Sequence, residues 1–301
     1  MTSAPVALEY RSVPPAARPP HLSRRPMFTA WWALYLLTIR QYMHGKKWMV
    51  LAVLFVLPAV LVVFVRSTAP NVPLTWLEFS FAYLFIPQAL LPLVALIYAS
   101  GMIQDEQEEQ TLTYLLIRPI PKWAMYGIKL LATLTTTVLL TALFTAVTYV
   151  AIYGRSGTAG VPGRCLKTIA IHSLAVTAYC ALFGLIGLLT KRALIVGILY
   201  AAIFEGLLAN LPFSIRLITV IYYSRVIAYR TLSFVASEAN GKIDVAAPVW
   251  RFDVENDPKL LEHPQVRTCV LILLGASAIL TLVAAYVCAR KEFHVKTPEK
   301  P

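Results

Sequence analysis

Four carboxylates, Asp105, Glu106, Glu108 and Glu109, crowd into residues 105–109 of a chain that is otherwise poor in charge. Clustered carboxylates can share a proton, hold a metal or grip a basic partner. A metal would need further ligands. His21, His44, His172, His263 and His294 show neither His-Glu-x-x-His nor any paired-ligand spacing, so no metal is expected. The apolar Leu112, Leu115 and Leu116 follow on one side, and Pro119 and Pro121 end the run. This spacing predicts a short amphipathic helix over 104–118, its carboxylates in the first turns, where the helix dipole favours negative charge. Such a helix is either a docking knob for a protein partner or a solvated connector, and spacing alone leaves both open.

Three further groups are candidates. Glu205 lies twelve residues beyond Ala193 in an apolar run, which by helical rise is about 18 Å deep. An intramembrane carboxylate is costly and is a candidate functional group by default. It lines a substrate path, or it is a structural partner for Arg216 or for nearby hydroxyls. Thr133, Thr137, Thr141, Thr145 and Thr148 form a hydroxyl line along one helix. They line a polar passage, with Thr137 and Thr141 the central positions, or they pack and return their hydroxyls to the i−4 carbonyls. Cys165, Cys180, Cys269 and Cys288 have no metal or redox spacing and read as small packing residues.

The elements that must position these groups follow from composition. The chain has 301 residues, 58% hydrophobic and 14% charged, against about 25% charged in a soluble protein. The apolar residues come in long blocks, and a bilayer core of about 30 Å needs some 20 of them per helix. The class is an all-α polytopic membrane protein, and a soluble enzyme is excluded. Six spans are predicted, over about 48–66, 79–100, 123–153, 167–189, 193–211 and 267–289. A Pro-rich tail over 1–26 is expected to be disordered, and 27–44 reads as an amphipathic helix in the inner interface. Residues 212–265 form an outer excursion whose apolar part, 217–229, reads as re-entrant or interfacial; residues 292–301 are a tail.

The formal charge of +12 reports orientation, not nucleic acid. Seven Lys and Arg precede residue 48, Lys191-Arg192 close the fourth span and Arg290-Lys291 the sixth, while the 67–80 loop has none. Both termini are therefore expected inside a cell (inner or plasma) membrane. Arg155 and Arg164 are a minor violation of that pattern.

The order Glu106, Thr111-Leu112, Leu115-Leu116, Arg118-Pro119-Ile120 and Lys129 resembles the signature of ABC type-2 transporter permeases. The family pattern has Gly before the Thr, where this chain has Gln110. The likeness extends over 27–291, and Phe204-Glu205-Gly206 through Leu211-Pro212 and Arg216 resembles the family's span-five ending. The resemblance implies that 104–118 is a coupling helix seated in a groove of an ATP-hydrolysing subunit. It also implies a permease homodimer with two ATPase copies, and export as the activity. ATP and Mg would sit on the partner, because no G-x-x-x-x-G-K-[ST] loop occurs here; Gly127-Ile128-Lys129 and Gly241-Lys242 lack the upstream Gly and the following hydroxyl.

Two other readings come from different classes. One is the membrane anchor of an ABC-like complex that drives envelope assembly without moving a solute. The other is an intramembrane hydrolase. Gly154-Arg155-Ser156-Gly157 resembles the rhomboid nucleophile motif, with His172 as the imagined base, but it falls in a Gly-rich loop. Glu108-Glu109 is similar to the paired glutamates of CAAX-type membrane proteases, but Thr113 stands where that motif has Arg.

Overall fold

A computed structural model of the chain describes residues 27–108, 121–154, 160–211, 214–238, 241–252 and 263–291. Six helices are long and apolar enough to cross a membrane: Lys47–Thr68, Leu74–Gln104, Lys122–Tyr153, Val161–Leu189, Ala193–Asn210 and Val266–Arg290. They are called spans one to six below. Strand is confined, among the described residues, to one hairpin, β1 (Val235–Glu238) and β2 (Gly241–Asp244), paired antiparallel. The chain is thus an all-α polytopic membrane protein.

The spans divide into centre and periphery. Spans two and four have 56% of their most apolar stretch buried inside the protein, whereas spans five and six have 22% and 17%. Spans two and four touch at backbone distance. A Cβ added at Gly187 would lie 2.7 Å from the Ser100 carbonyl oxygen, and one at Gly184 would lie 2.7 Å from the Tyr126 hydroxyl. Only glycine permits that approach. Span one presents Val53, Val60 and Phe64 outward, and span six Leu271 and Leu282, as expected where lipid is the solvent.

Span two is not a regular α-helix. It runs through π-helical turns at Glu78–Leu90 and Leu96–Ser100, with Pro87 inside the first and Pro92 just beyond it. Proline has no N–H for the α-helical ladder and its ring crowds the preceding turn. Wide turns accommodate it without breaking the helix.

Helix α1 (Met27–His44) packs across span three, burying Leu34 and Thr38 and exposing Trp32, Leu36 and Met43. Its Tyr35 hydroxyl donates to Thr135 Oγ1 at 3.1 Å, and Tyr42 and Thr133 share a hydrogen bond of 2.9 Å. Span four starts at Val161, earlier than the position 167 expected from hydropathy. Gly160, at φ 93, turns the chain, and Pro162 opens the first helical turn. Arg164 and Lys167 therefore lie within the helix, which a hydropathy count resists.

The bundle has two distinct ends. At one, the Lys122 end, Lys122 Nζ donates to the Lys291 carbonyl at 3.0 Å and Lys291 Nζ donates to the Leu188 carbonyl. At the other, the Arg164 end, the excursion after span five builds a second apolar core. Helix α3 (Val220–Thr231) buries Ile221 to Ala228, and Phe79, Tyr83, Phe234 and Trp250 close over it, with helix α4 (Ala246–Trp250) after the hairpin. The twelve residues of α3 reach only about 18 Å. It folds back against span four and makes no seventh crossing.

Candidate functional site

At the Lys122 end, span two runs without interruption into helix α2 (Gly101–Glu108) (α1 and α3 being the helices before and after it in the chain). Gly101 keeps right-handed helical geometry, φ −76 and ψ −17, so the hydrogen-bonded ladder continues through it. This corrects one expectation: Asp105, Glu106 and Glu108 do not open a helix. They are carried on a helix that began at Leu74, far from its N-terminus. Glu109, Thr111, Leu112, Leu115 and Leu116 lie outside the described residues.

The root of α2 is held on two sides. Lys129, 1% exposed on span three, donates from Nζ to the Met102 carbonyl at 2.9 Å. Gln104 donates through Nε2 to the Gly187 carbonyl at 3.2 Å and the Thr190 carbonyl at 2.5 Å, both at the end of span four. The close contact of Ser100 with Gly187 lies one turn earlier. Polar contacts thus join the root of α2 to both span three and span four. Lys129 was visible in sequence only as part of the family pattern, and Gln104 carried no signal beyond polarity.

Glu205 is fully buried in a π-helical stretch of span five, Ala201–Leu207. Its carboxylate accepts from the backbone N–H of Val220 at 3.1 Å and of Ile221 at 3.0 Å, and from the Tyr200 hydroxyl at 3.4 Å. These amides are the first of α3, which lack carbonyl partners of their own. Glu205 is thus the cap of α3, supplied from another helix. Arg216, one partner anticipated for it, instead sits over the Tyr222 ring at 5.2 Å. A second tie runs the other way: Arg225 of α3 donates through Nη1 to Asn210 Oδ1 at 3.0 Å and to the Ala209 carbonyl at 3.4 Å. Burial pulls Arg225 down from the usual arginine value to about 10, against the opposing influence of Tyr179 and Glu205, so it remains cationic at neutral pH.

The threonines of span three mostly satisfy themselves. Thr133, Thr137 and Thr148 donate to the carbonyls four residues back, each at 2.9 Å. Thr145 pairs with His172 Nδ1 at 3.1 Å, and Thr137 also meets Cys180 Sγ at 3.6 Å. Thr141 is fully buried with no hydrogen-bond partner among the described residues. A hydroxyl without a partner in an apolar setting contributes nothing favourable, so Thr141→Val is expected to change thermal stability by less than about 1 kcal/mol, or to raise it. Loss of ATP-driven turnover in a stable Thr141→Val protein would instead mark the hydroxyl as part of a passage.

The Arg164 end holds a dense polar cluster that the sequence alone does not single out. Glu78, 1% exposed near the start of span two, receives Arg164 through two bonds, Nε to Oε1 at 3.1 Å and Nη2 to Oε2 at 2.9 Å. Tyr149 donates to the same carboxylate at 2.6 Å and Tyr153 at 2.7 Å, both from the end of span three. Tyr149 is in turn 2.6 Å from Thr168 Oγ1, which Tyr83 also engages. Arg164 Nη2 reaches on to the Ser233 carbonyl at 3.1 Å, beyond α3. Beside it, Arg66 caps the carbonyls of Ala151 and Ile152 at 3.3 and 2.6 Å. The available signal was a single Glu opening an apolar run, together with an arginine on the side where the charge rule forbids it.

Of the groups that suggested hydrolysis, only part falls within the described residues. His172 is buried between Thr145 and the Tyr83 ring, and Ser156 lies outside the described residues. No group of three or more His, Cys, Asp or Glu able to hold a metal occurs among the described residues.

A family model described as ABC-2 family transporter protein matches residues 43–224. The matched stretch runs from the end of α1 to the middle of α3 and includes Glu78, Lys129, Arg164 and Glu205. No curated protein matches the chain.

Proposed function

The chain belongs to the ABC-2 transporter family and is a multi-pass permease subunit of an ABC transporter; from that premise we propose that it couples ATP hydrolysis on a separate chain to export. In this reading 104–118 is the segment on which the ATPase docks, and the Lys122 end, with both termini, faces the cytoplasm. Two permease copies and two ATPase subunits form the working unit, and ATP and Mg are bound by the ATPase.

The observation that carries the reading is the anchoring of α2. Lys129 and Gln104 tie its root to spans three and four, so closure of the ATPases would be delivered to three spans at once. The carboxylates of 105–109 would meet basic groups on the partner. Movement of spans two to four relative to the peripheral spans would then expose the path between two permease copies alternately to either side.

Co-purification tests this. The ATPase subunit is expected to accompany the wild-type chain, and to be lost by at least about 100-fold in affinity when Glu106→Lys and Leu112→Glu are combined, the size of a hot-spot effect. Retention of the ATPase by the double variant would move the docking site elsewhere. A wild-type chain that never carries an ATPase would overturn the function.

A further inference from the structure

Span two carries the docking segment at one end and Glu78 at the other. We propose that Glu78 is a positioning residue of the transport cycle, through which movement of the docking segment becomes opening and closing of the Arg164 end. The proposal rests on the docking reading above and extends it to the far side of the bundle.

The geometry supports a latch, not a simple structural pair. One carboxylate takes four donors from two other helices, Tyr149 and Tyr153 of span three and Nε and Nη2 of Arg164 in span four. All lie within five residues of an end of their spans. Span three has 32 residues, about 48 Å by helical rise, so its last turn lies near the edge of the roughly 30 Å hydrocarbon layer. Water can reach the cluster when the helices part, and the ions can separate there without crossing lipid. Arg164 also holds Ser233, so release of Glu78 frees the roof built by α3 and the hairpin together with the helix ends. At the docking end the same span is tied to the same two helices by Lys129 and Gln104. A shift of span two against spans three and four must therefore break or remake contacts at both ends.

The chain contains its own reporter. Cys165, next to Arg164, is partly exposed, while Cys180, Cys269 and Cys288 are buried. In the permease–ATPase complex reconstituted in nanodiscs, the rate of Cys165 labelling by a sulfonated maleimide is measured without nucleotide and with ATP–vanadate. In wild type the two rates are expected to differ by about fivefold or more, the lower range of allosteric coupling. Glu78→Gln is expected to keep the ATPase and bring that ratio below about twofold. Tyr153→Phe, which removes one donor and leaves the ion pair, is expected to fold at a somewhat lower melting temperature and to give an intermediate ratio, and it carries the test if Glu78→Gln does not fold. A wild-type ratio in folded Glu78→Gln, or in Tyr153→Phe when Glu78→Gln fails to fold, overturns the proposal. So does a wild-type complex that binds ATPase with no nucleotide response at Cys165. Absence of ATPase from the wild-type preparation is a different failure, that of the docking reading, and the proposal falls with it.

Discussion

Arg164→Ala is expected to lower the stability of the purified chain by about 3–5 kcal/mol, the cost of leaving a buried charge without its partner. Glu78 would keep only the two tyrosine hydroxyls, while its carboxylate stays 1% exposed. The effect falls toward the lower bound because Arg164 is itself 26% exposed and water can follow the truncated side chain. Arg164→Lys keeps the charge but replaces a planar fork with a point donor, so it should recover only part of the loss. Removing both partners in Arg164→Ala with Glu78→Ala should be milder than Arg164→Ala alone, because no buried charge is then orphaned. Thermal unfolding of the three variants gives the order directly. If the double variant is the least stable, the pair is not the source of the effect.

The second large effect concerns Glu205. Glu205→Ala removes the acceptor of two backbone N–H groups at the start of α3. Each buried, unsatisfied donor costs about 1–3 kcal/mol, so roughly 2–6 kcal/mol is at stake. Arg225 would at the same time lose a neighbouring negative charge that helps to hold it cationic. Glu205→Gln retains one carbonyl oxygen and should keep the fold at a smaller cost. The pair of variants separates the two roles considered for this residue. If Glu205 only caps α3, the melting temperatures fall in the order Gln, then Ala, and ATP turnover falls only as folded complex is lost. If Glu205 lines the substrate path, Glu205→Gln leaves the melting temperature intact and abolishes substrate-dependent turnover.

How far each feature could be read from sequence depends on whether local pattern or distant contact decides it. The six spans and α1 are written in blocks of apolar residues and in the periodicity of Trp31, Tyr35, Ile39 and Tyr42, because lipid imposes hydrophobicity residue by residue; that Leu34 and Thr38 are the residues α1 buries was not part of that pattern. The early start of span four was not readable. Hydropathy penalises Arg164 and Lys167, and the contact that offsets Arg164 is with a residue 86 positions away. The same holds for the charge count. Arg66, Arg164 and Arg225 at the far end are each bound to carbonyl, amide or carboxylate oxygens, whereas the sequence rule treats every basic residue as free in water. Glu205 could be flagged as unusual, but its partner amides belong to a helix fifteen residues later whose return path the sequence does not specify. The carboxylates at 105–109 were found by composition alone. Their supposed helix start was an error of context: the polar residues begin at Gln104, but the helix began thirty residues earlier.

The wide turns of span two bear on how this protein tolerates change in length. In an α-helix, inserting or deleting one residue rotates everything beyond it by about 100°, turning buried side chains toward lipid. Span four has no slack to absorb such an error: it is 29 residues of unbroken α-helix, with Gly187 pressed against the backbone of Ser100. A π turn already holds an extra residue, so at Glu78–Leu90 a residue can be lost by tightening the turn, leaving Met102 still facing Lys129. Among related chains, single-residue indels should therefore collect between positions 78 and 100 and be excluded from span four.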